Sequence, residues 1–476
     1  MIKVLSSYES RLSDENTVKG GNVTVSDLVS RAGKAVTEEI LKRFSGGKVL
    51  VVIGKGNNGE DGKVIADLLS QNKNFSVNKA ENLSLPQGEF DIIVDCLFGT
   101  GLNRAVTGEY ENIIHYINRS KAFIISVDIP SGLSADSGKV LGIAVKADLT
   151  VVIQNYKLGH FLNEGIDFCG ETVVKEIGIK KPETYANILE RHDLTQLFIK
   201  PKRNVNKGSF KKAAIIGGSK TYSGSAVLAI SALAAFKTGL GYANIAVPDC
   251  VFPAIAGKAP ECTVTLLKDD GNGIKFYEED IIPLFKYDSL AVGLGMGATE
   301  ETYKLIKFIL KNYSGKVLID ADGLNSLAFF GKEILKEKRN CQVVLTPHIA
   351  EFARLNNTDK KEVVSGGVNL AKTFAKEYGV VLVLKSAVSV ITDGNTTFLN
   401  VTGTPAMAKA GSGDVLSGFA AGMLAREENP VLAAAYGCYL FGRAGEIAEE
   451  THGNTFTVTA TDLITALPKA VAEIIG

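Results

Sequence analysis

Cysteine is scarce and scattered: Cys96, Cys169, Cys250, Cys262, Cys341 and Cys438 show no Cys-x-x-Cys spacing. That excludes a zinc ribbon and a disulfide scaffold and argues for a reducing compartment. Charge of one sign is equally lacking, because 52 Lys and Arg balance 52 Asp and Glu. No net field therefore draws the chain to nucleic acid or to an anionic membrane. One local basic run, Lys200-Pro-Lys-Arg203 with Lys207, Lys211 and Lys212, reads as a solvated linker face at least as readily as a polyanion contact. Long apolar runs are missing too. The most apolar stretch, near Val227 to Val247, is broken by Lys237 and several glycines, so it reads as buried helix and strand rather than a membrane span. The first residues, Met-Ile-Lys-Val-Leu-Ser-Ser, have no long apolar core before a cleavage site, as a secretory leader would. The expected location is the cytoplasm. No internal repeat or low-complexity tract is present.

What is there is a globular balance, 45% apolar and 22% charged over 476 residues, a length that implies two or three domains. Short β-branched runs alternate with longer helical ones, the signature of parallel α/β sheets. The runs are Lys48–Ile53, Asp91–Asp95, Phe123–Asp128 and Leu149–Ile153, then Ala213–Ile216, Asn244–Val247, Leu290–Leu294, Val317–Asp320, Val343–Thr346 and Val380–Leu384. The polar, basic, proline-broken stretch from Phe198 to Gly208 separates the two sets and predicts a boundary near residue 200. Nearly every glycine-rich or polar cluster directly follows an apolar run. In open α/β sheets that is where ligands bind, so one crevice is expected in each domain.

In the first set, Gly54-Lys-Gly-Asn-Asn-Gly-Glu-Asp-Gly62 satisfies Gly-x-Gly-x-x-Gly at Gly54, Gly56 and Gly59. Glu60 and Asp61 fall in the first helical turn, however, where a pyrophosphate would be repelled. No strand-ending acid follows about 20 residues on, as the dinucleotide fingerprint requires. A loop that binds a cation and hydroxyls through Asn57, Asn58 and Asp61 fits better. The next run ends in Asp95-Cys-Leu-Phe-Gly-Thr-Gly-Leu-Asn-Arg104, and the third in Ser126-Val-Asp-Ile-Pro-Ser-Gly132. One such Asp is a cap or turn residue; several along one sheet edge make a site.

These three motifs, in this order, resemble the epimerase domain of the NAD(P)H-hydrate repair family over roughly residues 1–195. The resemblance implies that Asn58, Asp95 and Ser131 hold a potassium ion. It also implies that Asn57, Asn58, Gly59, Glu60 and Asp61, the loop Gly99, Thr100, Gly101, Leu102, Asn103, Arg104 and Ala105, and Asp128 contact the hydrated nicotinamide. Asp128 is then the acid/base candidate. Glu60 stands where the family usually has a second glycine; if that position needs positive φ, Glu60 is strained.

The second set carries the strongest motif, Ala410-Gly-Ser-Gly-Asp-Val-Leu-Ser-Gly418, running into an apolar helix over Val415–Ala425. Glycines at a helix N-terminus offer backbone N–H groups to an anion, and the dipole adds to the attraction. The motif resembles the anion hole of the ribokinase-like superfamily, whose aspartate deprotonates an attacking hydroxyl. Further segments follow other strands: Gly217-Gly-Ser-Lys-Thr-Tyr-Ser-Gly-Ser-Ala226, Gly293-Leu-Gly-Met-Gly297, Asp320-Ala-Asp322, Thr346-Pro-His348 and Lys385-Ser-Ala-Val-Ser389. Together, over residues 205–476, they resemble the dehydratase domain of the same repair family.

That resemblance implies a Rossmann-like three-layer domain over residues 1–200 and a ribokinase-like α/β domain over 201–476. Ala226, Gly297, His348 and Asp414 contact the hydrated nucleotide, with Asp414 as catalytic base. Lys385, Ser386, Ala387, Val388, Ser389, Gly411, Ser412 and Gly413 contact ADP, or ATP, with Mg²⁺. His348 reads equally as a satisfied loop histidine, and Asp320 and Asp322 as structural residues. A homo-oligomer is expected. The alternative is a small-alcohol or vitamin-precursor kinase with an N-terminal binding domain; a nicotinamide-dependent oxidoreductase ranks last.

Overall fold

The computed structural model describes residues 1–21, 23–81, 88–180, 184–234 (backbone only at 231–234), 237–258 and 260–476. The chain divides into two units, residues 3–187 and residues 188–476 with Met1 and Ile2. The division precedes the proline-broken stretch near residue 200 because Leu189 and Leu194 are already buried in the core of the second unit.

The strands in chain order are β1 (Ile2–Leu5), β2 (Gly47–Ile53), β3 (Phe75–Ala80), β4 (Ile92–Cys96), β5 (Phe123–Val127), β6 (Leu149–Ile153), β7 (Tyr156–Lys157), β8 (Glu171–Lys175) and β9 (Ala186–Ile188). In the first unit an all-parallel sheet runs β3-β2-β4-β5-β6-β8. Successive side chains leave opposite faces of a strand. Val49, Val51 and Ile53 of β2 thus pack against the helices Val25–Arg43 and Asn57–Ser70, while Leu50 and Val52 pack against the helix Glu109–Arg119. Both faces are covered, which is why these strands read as unbroken apolar runs. The Val25–Arg43 helix starts at a capping box. The Thr24 hydroxyl accepts from the Asp27 N–H at 3.1 Å, and the Asp27 carboxylate accepts from the Thr24 N–H at 2.8 Å; such a cap is worth about 1 kcal/mol.

The second unit contains β10 (Lys212–Gly217), β11 (Tyr242–Pro248), β12 (Thr263–Leu267), β13 (Ser289–Leu294), β14 (Lys316–Ile319), β15 (Gln342–Leu345), β16 (Val381–Leu384), β17 (Ser389–Thr392) and β18 (Thr397–Asn400). Their order is β12-β11-β10-β13-β14-β15-β16-β17-β18, parallel through β16 and antiparallel beyond. The helices Ser223–Ala234, Ser412–Arg426, Pro430–His452 and Ala460–Ile475 cover one face. The last contains Pro468, which cannot donate to the Ile464 carbonyl; the Lys237 ammonium does so instead at 2.8 Å. The apolar stretch near Val227 to Val247 is helix and strand, with residues 235 and 236 outside the described residues. No described helix is long and apolar enough to cross a membrane. Half of the basic run is spent on structure: Lys211 pairs with Asp288 at 3.3 Å, and Lys207 and Lys212 lie over the Tyr242 ring.

Each sheet reverses direction once. From β2 the chain steps to β3 on one side and returns with β4 on the other; β10 likewise lies between β11 and β13. Loops leaving the two central strands therefore diverge and open a crevice at the carboxyl ends.

Candidate active sites

The first crevice lies between the loops after β2 and β4. Gly54 and Gly59 are glycine for packing, since a Cβ on Gly54 would sit 1.9 Å from the Leu97 carbonyl and one on Gly59 2.0 Å from the Gly54 carbonyl. That contact accounts for two glycines of the dinucleotide-like pattern without a pyrophosphate. It also starts the Asn57–Ser70 helix directly at the crevice. Asn58, buried on its first turn, donates from Nδ2 to the Phe98 carbonyl at 2.8 Å, and its Oδ1 is buried with no partner. Ser131 Oγ contacts the same carbonyl at 3.1 Å. Beneath them Asp95 is fully buried and accepts four bonds, from Leu97 N, Ser131 N, Ser131 Oγ and Ser126 Oγ. Burial raises its pKa despite those donors.

A cavity of about 1140 Å³ opens above, and Asn57, Asn58, Asp61, Asp128 and residues Gly99 to Arg104 line it. Gly59, Glu60 and Ala105 lie outside its lining. Glu60 is helical and half-exposed and pairs with Lys63 at 2.7 Å, so the strain considered for this position does not arise. Glu60→Gly is accordingly expected to cost about 1 kcal/mol in a denaturant melt, the price of glycine inside a helix. A gain in stability would instead reveal strain.

Asp128 follows β5 with φ +67°, a left-handed conformation that costs a non-glycine residue about 1–3 kcal/mol unless its surroundings enforce it. They do. Its N–H donates to Val151 O at 2.8 Å, its carboxylate accepts from Ile153 N at 3.0 Å and from the Lys157 ammonium, and its carbonyl is held by His160 Nε2 at 2.8 Å. Lys157, His160 and the cavity-lining Asp14 were not anticipated from the sequence. The segment Gln154-Asn-Tyr-Lys157 is polar and follows an apolar run, the same signal that marked the other loops. Asp14 lies on a polar helix, Ser7–Lys19, and carries no such mark.

The second crevice gathers residues from six loops. The Ser412–Arg426 helix begins after Gly411, whose φ of +87° turns the chain into it. Asp414, in its first turn, is pushed up to about 6, first by burial and then by Asp320, with a hydrogen bond from Ser225 and the charge of Lys385 opposing. The Lys385 ammonium lies 2.9 Å from Asp320 and 3.7 Å from where a Cβ on Gly413 would sit. Burial alone would lower its pKa; Asp320, Glu351 and Asp414 outweigh that and raise it. Asp320 is fully committed, to Lys385, Ser417 Oγ at 2.6 Å and Ala321 N at 2.8 Å, and Asp322 accepts from Gly297 N at 2.9 Å. Ala321 between them has φ +49°, a second strained position at a strand end.

Several expectations need refining. Ala226 is fully buried in the core and offers no side-chain surface. Ser412 is buried and its N–H is spent on Lys409 O at 3.3 Å, which leaves Gly413 and Asp414 as the open donors. Lys385 to Ser389 form the turn between β16 and β17; Ser386 and Ala387 are exposed, and Val388 is buried. His348 caps the Ile349–Asn356 helix, its Nδ1 accepting from Ala350 N at 3.0 Å and Glu351 N at 3.2 Å. Burial, with Lys385 next, lowers its pKa and favours the neutral ring, whose Nε2 lies 3.5 Å from Glu351 Oε1.

Residues 213–469 match the sequence family described as NAD(P)H-hydrate dehydratase, and residues 25–84 and 74–159 match the family described as YjeF-related protein N-terminus. The chain is 33% identical to a bifunctional NAD(P)H-hydrate repair enzyme from Thermofilum pendens, covering 99% of this chain and 96% of that protein. It is 33% identical to another from Archaeoglobus fulgidus, covering 93% of each. Among solved structures, an ADP/ATP-dependent NAD(P)H-hydrate dehydratase from Bacillus subtilis, crystallised with ATP and Mg²⁺, is similar over 61% of this chain and 99% of its own, at 28% identity and a TM-score of 0.52. A ribokinase-like superfamily protein from Enterococcus faecalis shares the fold over 61% of this chain and 96% of its own, at 22% identity and a TM-score of 0.51.

Proposed function

The chain belongs to the bifunctional NAD(P)H-hydrate repair family, and on that premise we propose that it restores hydrated NADH and NADPH. The first unit interconverts the R and S hydrates. The second dehydrates the S epimer with ADP as phosphoryl donor, releasing phosphate and AMP, in a reducing cytoplasm where the six free thiols persist. The observation that carries this reading is Asp414 at a helix N-terminus, with Lys385 beside Gly413. Asp414 takes the proton of the ring hydroxyl, and the oxygen attacks the terminal phosphoryl group. The Gly413 and Asp414 N–H groups and the Lys385 ammonium take up its charge. The nitrogen lone pair then expels phosphate to form C=N⁺, and the adjacent ring carbon gives up a proton to the departing phosphate or to water, which restores the conjugated ring. Asp320 accepts three hydrogen bonds within the protein; Mg²⁺ would enter with the nucleotide phosphates as part of the co-substrate.

In the first unit, Asn58, Asp95 and Ser131 are suited to a potassium ion. The orphaned Asn58 Oδ1, Ser131 Oγ and the Phe98 carbonyl form an all-oxygen cluster beside buried Asp95, and such oxygens replace the hydration shell of potassium. Bound there, the ion would supply positive charge that fixes the Phe98–Arg104 loop over the cavity.

Incubating the protein with mixed epimers of hydrated NADH, K⁺, Mg²⁺ and ADP is expected to recover all the NADH, read by its absorbance. With the S epimer alone, the rate should fall below a pH of about 6 as Asp414 takes up its proton. Asp320→Asn should move that limb to lower pH, because Asp320 raises the Asp414 pKa. No NADH, with ADP consumed on another small alcohol, would leave the kinase alternative standing.

A further inference from the structure

The cavity of the first unit holds more ionisable chemistry than the family resemblance assigns. Asp14, Asp61, Asp128 and Lys157 all line it. The Lys157 ammonium is committed: it is 2% exposed and bonds the Asp128 carboxylate and the Ile153 carbonyl. Asp14 and Asp61 have no hydrogen-bonding or ion-pair partner among the described residues. Burial and the neighbouring carboxylates raise the pKa of both of these unpaired groups.

We propose that Asp61 and Lys157 complete the epimerisation chemistry: Lys157 holds Asp128 as the carboxylate that takes a proton from water, and Asp61 is the acid that protonates the departing ring hydroxyl. The proposal rests on the epimerase reading of this unit. Asp61 is pushed up to about 8, by burial first, then by Asp128, Asp14 and, on its own helix, Glu60. Asp14, across the cavity, is pushed up to about 6 by burial, with Lys157 opposing and Asp128 adding. Arg11, Glu15 and Lys19 on the first helix, Lys55 before the Asp61 helix, Arg104 in the loop after β4 and Asp136 also line the cavity. Cys96 lies beneath, its thiol pushed well up by burial. Asp61 therefore holds its proton at neutral pH, and Asp128 is the carboxylate that carries the Lys157 contact. His160 fixes the pair from behind, Nδ1 accepting from Lys157 N at 2.9 Å and Nε2 donating to Asp128 O. Burial, with Lys157 next, lowers its pKa to about 4, so it stays neutral in that tautomer.

Opposed acid and base are what this substrate needs. Its hydroxyl sits on the carbon bonded to the ring nitrogen. When the C–O bond breaks, the oxygen keeps the electron pair and takes the Asp61 proton to become water, and the nitrogen lone pair forms C=N⁺. Water adds to the other face of that carbon and gives its proton to Asp128. Nothing is oxidised or reduced. The reverse conversion runs with the two roles exchanged, and solvent resets the protons.

The test uses the full chain with pure R epimer and K⁺ but no adenine nucleotide, separating the epimers by chromatography and subtracting the spontaneous rate. The wild-type kcat is expected to fall above a pH of about 8. Asp61→Asn should lower kcat by about 10²–10⁴-fold and abolish that alkaline limb, with substrate affinity by titration little changed. Asp14→Asn should move the limb to lower pH, since it removes a negative neighbour of Asp61. Lys157→Met should lower kcat, and Lys157→Arg should restore part of it. An Asp61→Asn protein that keeps its rate, or keeps the limb, overturns the proposal, as does a limb that Asp14→Asn leaves in place. A wild-type protein that never exceeds the spontaneous rate sinks the epimerase reading instead.

Discussion

Asp414→Asn is expected to lower the dehydration kcat by about 10²–10⁴-fold, the usual contribution of a positioned general base. The substitution keeps the shape of the side chain and its place in the first turn of the Ser412–Arg426 helix. The Gly413 N–H and the Lys385 ammonium stay, so nucleotide affinity should change little. Epimerisation should continue, and mixed epimers would then equilibrate without yielding NADH. Stability should move the other way. Burial and Asp320 raise the Asp414 pKa to about 6, so the native state holds this proton more tightly than the unfolded chain, whose carboxyl titrates near 4. Stability from this group is present at low pH and declines as pH rises between about 4 and 6. Above that the ionised carboxylate is a burden that Asn does not carry, so the variant should melt at a higher temperature at pH 8. A variant that is both inactive and less stable would point to a structural role for Asp414. Full activity would remove it from the chemistry.

Much of this was legible in the sequence because both crevices follow strands buried on both faces. β2, β4, β5 and β6, and β10, β11 and β13 to β16, read as β-branched runs for that reason. The edges did not. β3 and β12 carry Asn78, Lys79 and Thr263 at exposed positions, and β8 has no fully buried residue, so alternation there is faint. Motif spacing located the Gly54–Gly62 turn but not its reason, since the collision of Gly54 with Leu97 is a contact between two loops. Composition likewise gave no hint that Asp14 faces Asp61 across a cavity. The backbone strain at Asp128 and Ala321 is invisible to any residue count, and both strained residues end strands at the two sites. Local patterning thus reveals where a crevice opens. The pairing of charges within it is decided by tertiary contacts such as Lys157 with Asp128 and Lys385 with Asp320.

The second pair bears the larger consequence, and Lys385→Met should destabilise the second unit by about 3–5 kcal/mol, the cost of leaving a buried carboxylate unpaired. Asp320 is 2% exposed, and Lys385 is its only cationic partner among the described residues. Glu351 and Asp414, also beside Lys385, lose the same compensation. Because the folded state raises the Lys385 pKa, the wild-type contribution is fully present below the unfolded value of about 10.4 and disappears as pH rises through the higher folded one. Across neutral pH the wild-type protein has all of it. The same ammonium lies where a phosphoryl group would meet Gly413, so dehydration should fail as well. Lys385→Arg keeps the charge but needs more room beside Gly413, and should recover stability more than rate. The decisive measurement is a cycle with Asp320→Asn, read by denaturant melts and NADH recovery. The double variant should regain much of the lost stability, since no unpaired carboxylate remains. It should stay inactive if Lys385 acts on the transferring group. Recovery of both would reduce Lys385 to a counter-ion, and a Lys385→Met protein as stable as the wild type would show that the Lys385–Asp320 contact contributes nothing to the fold.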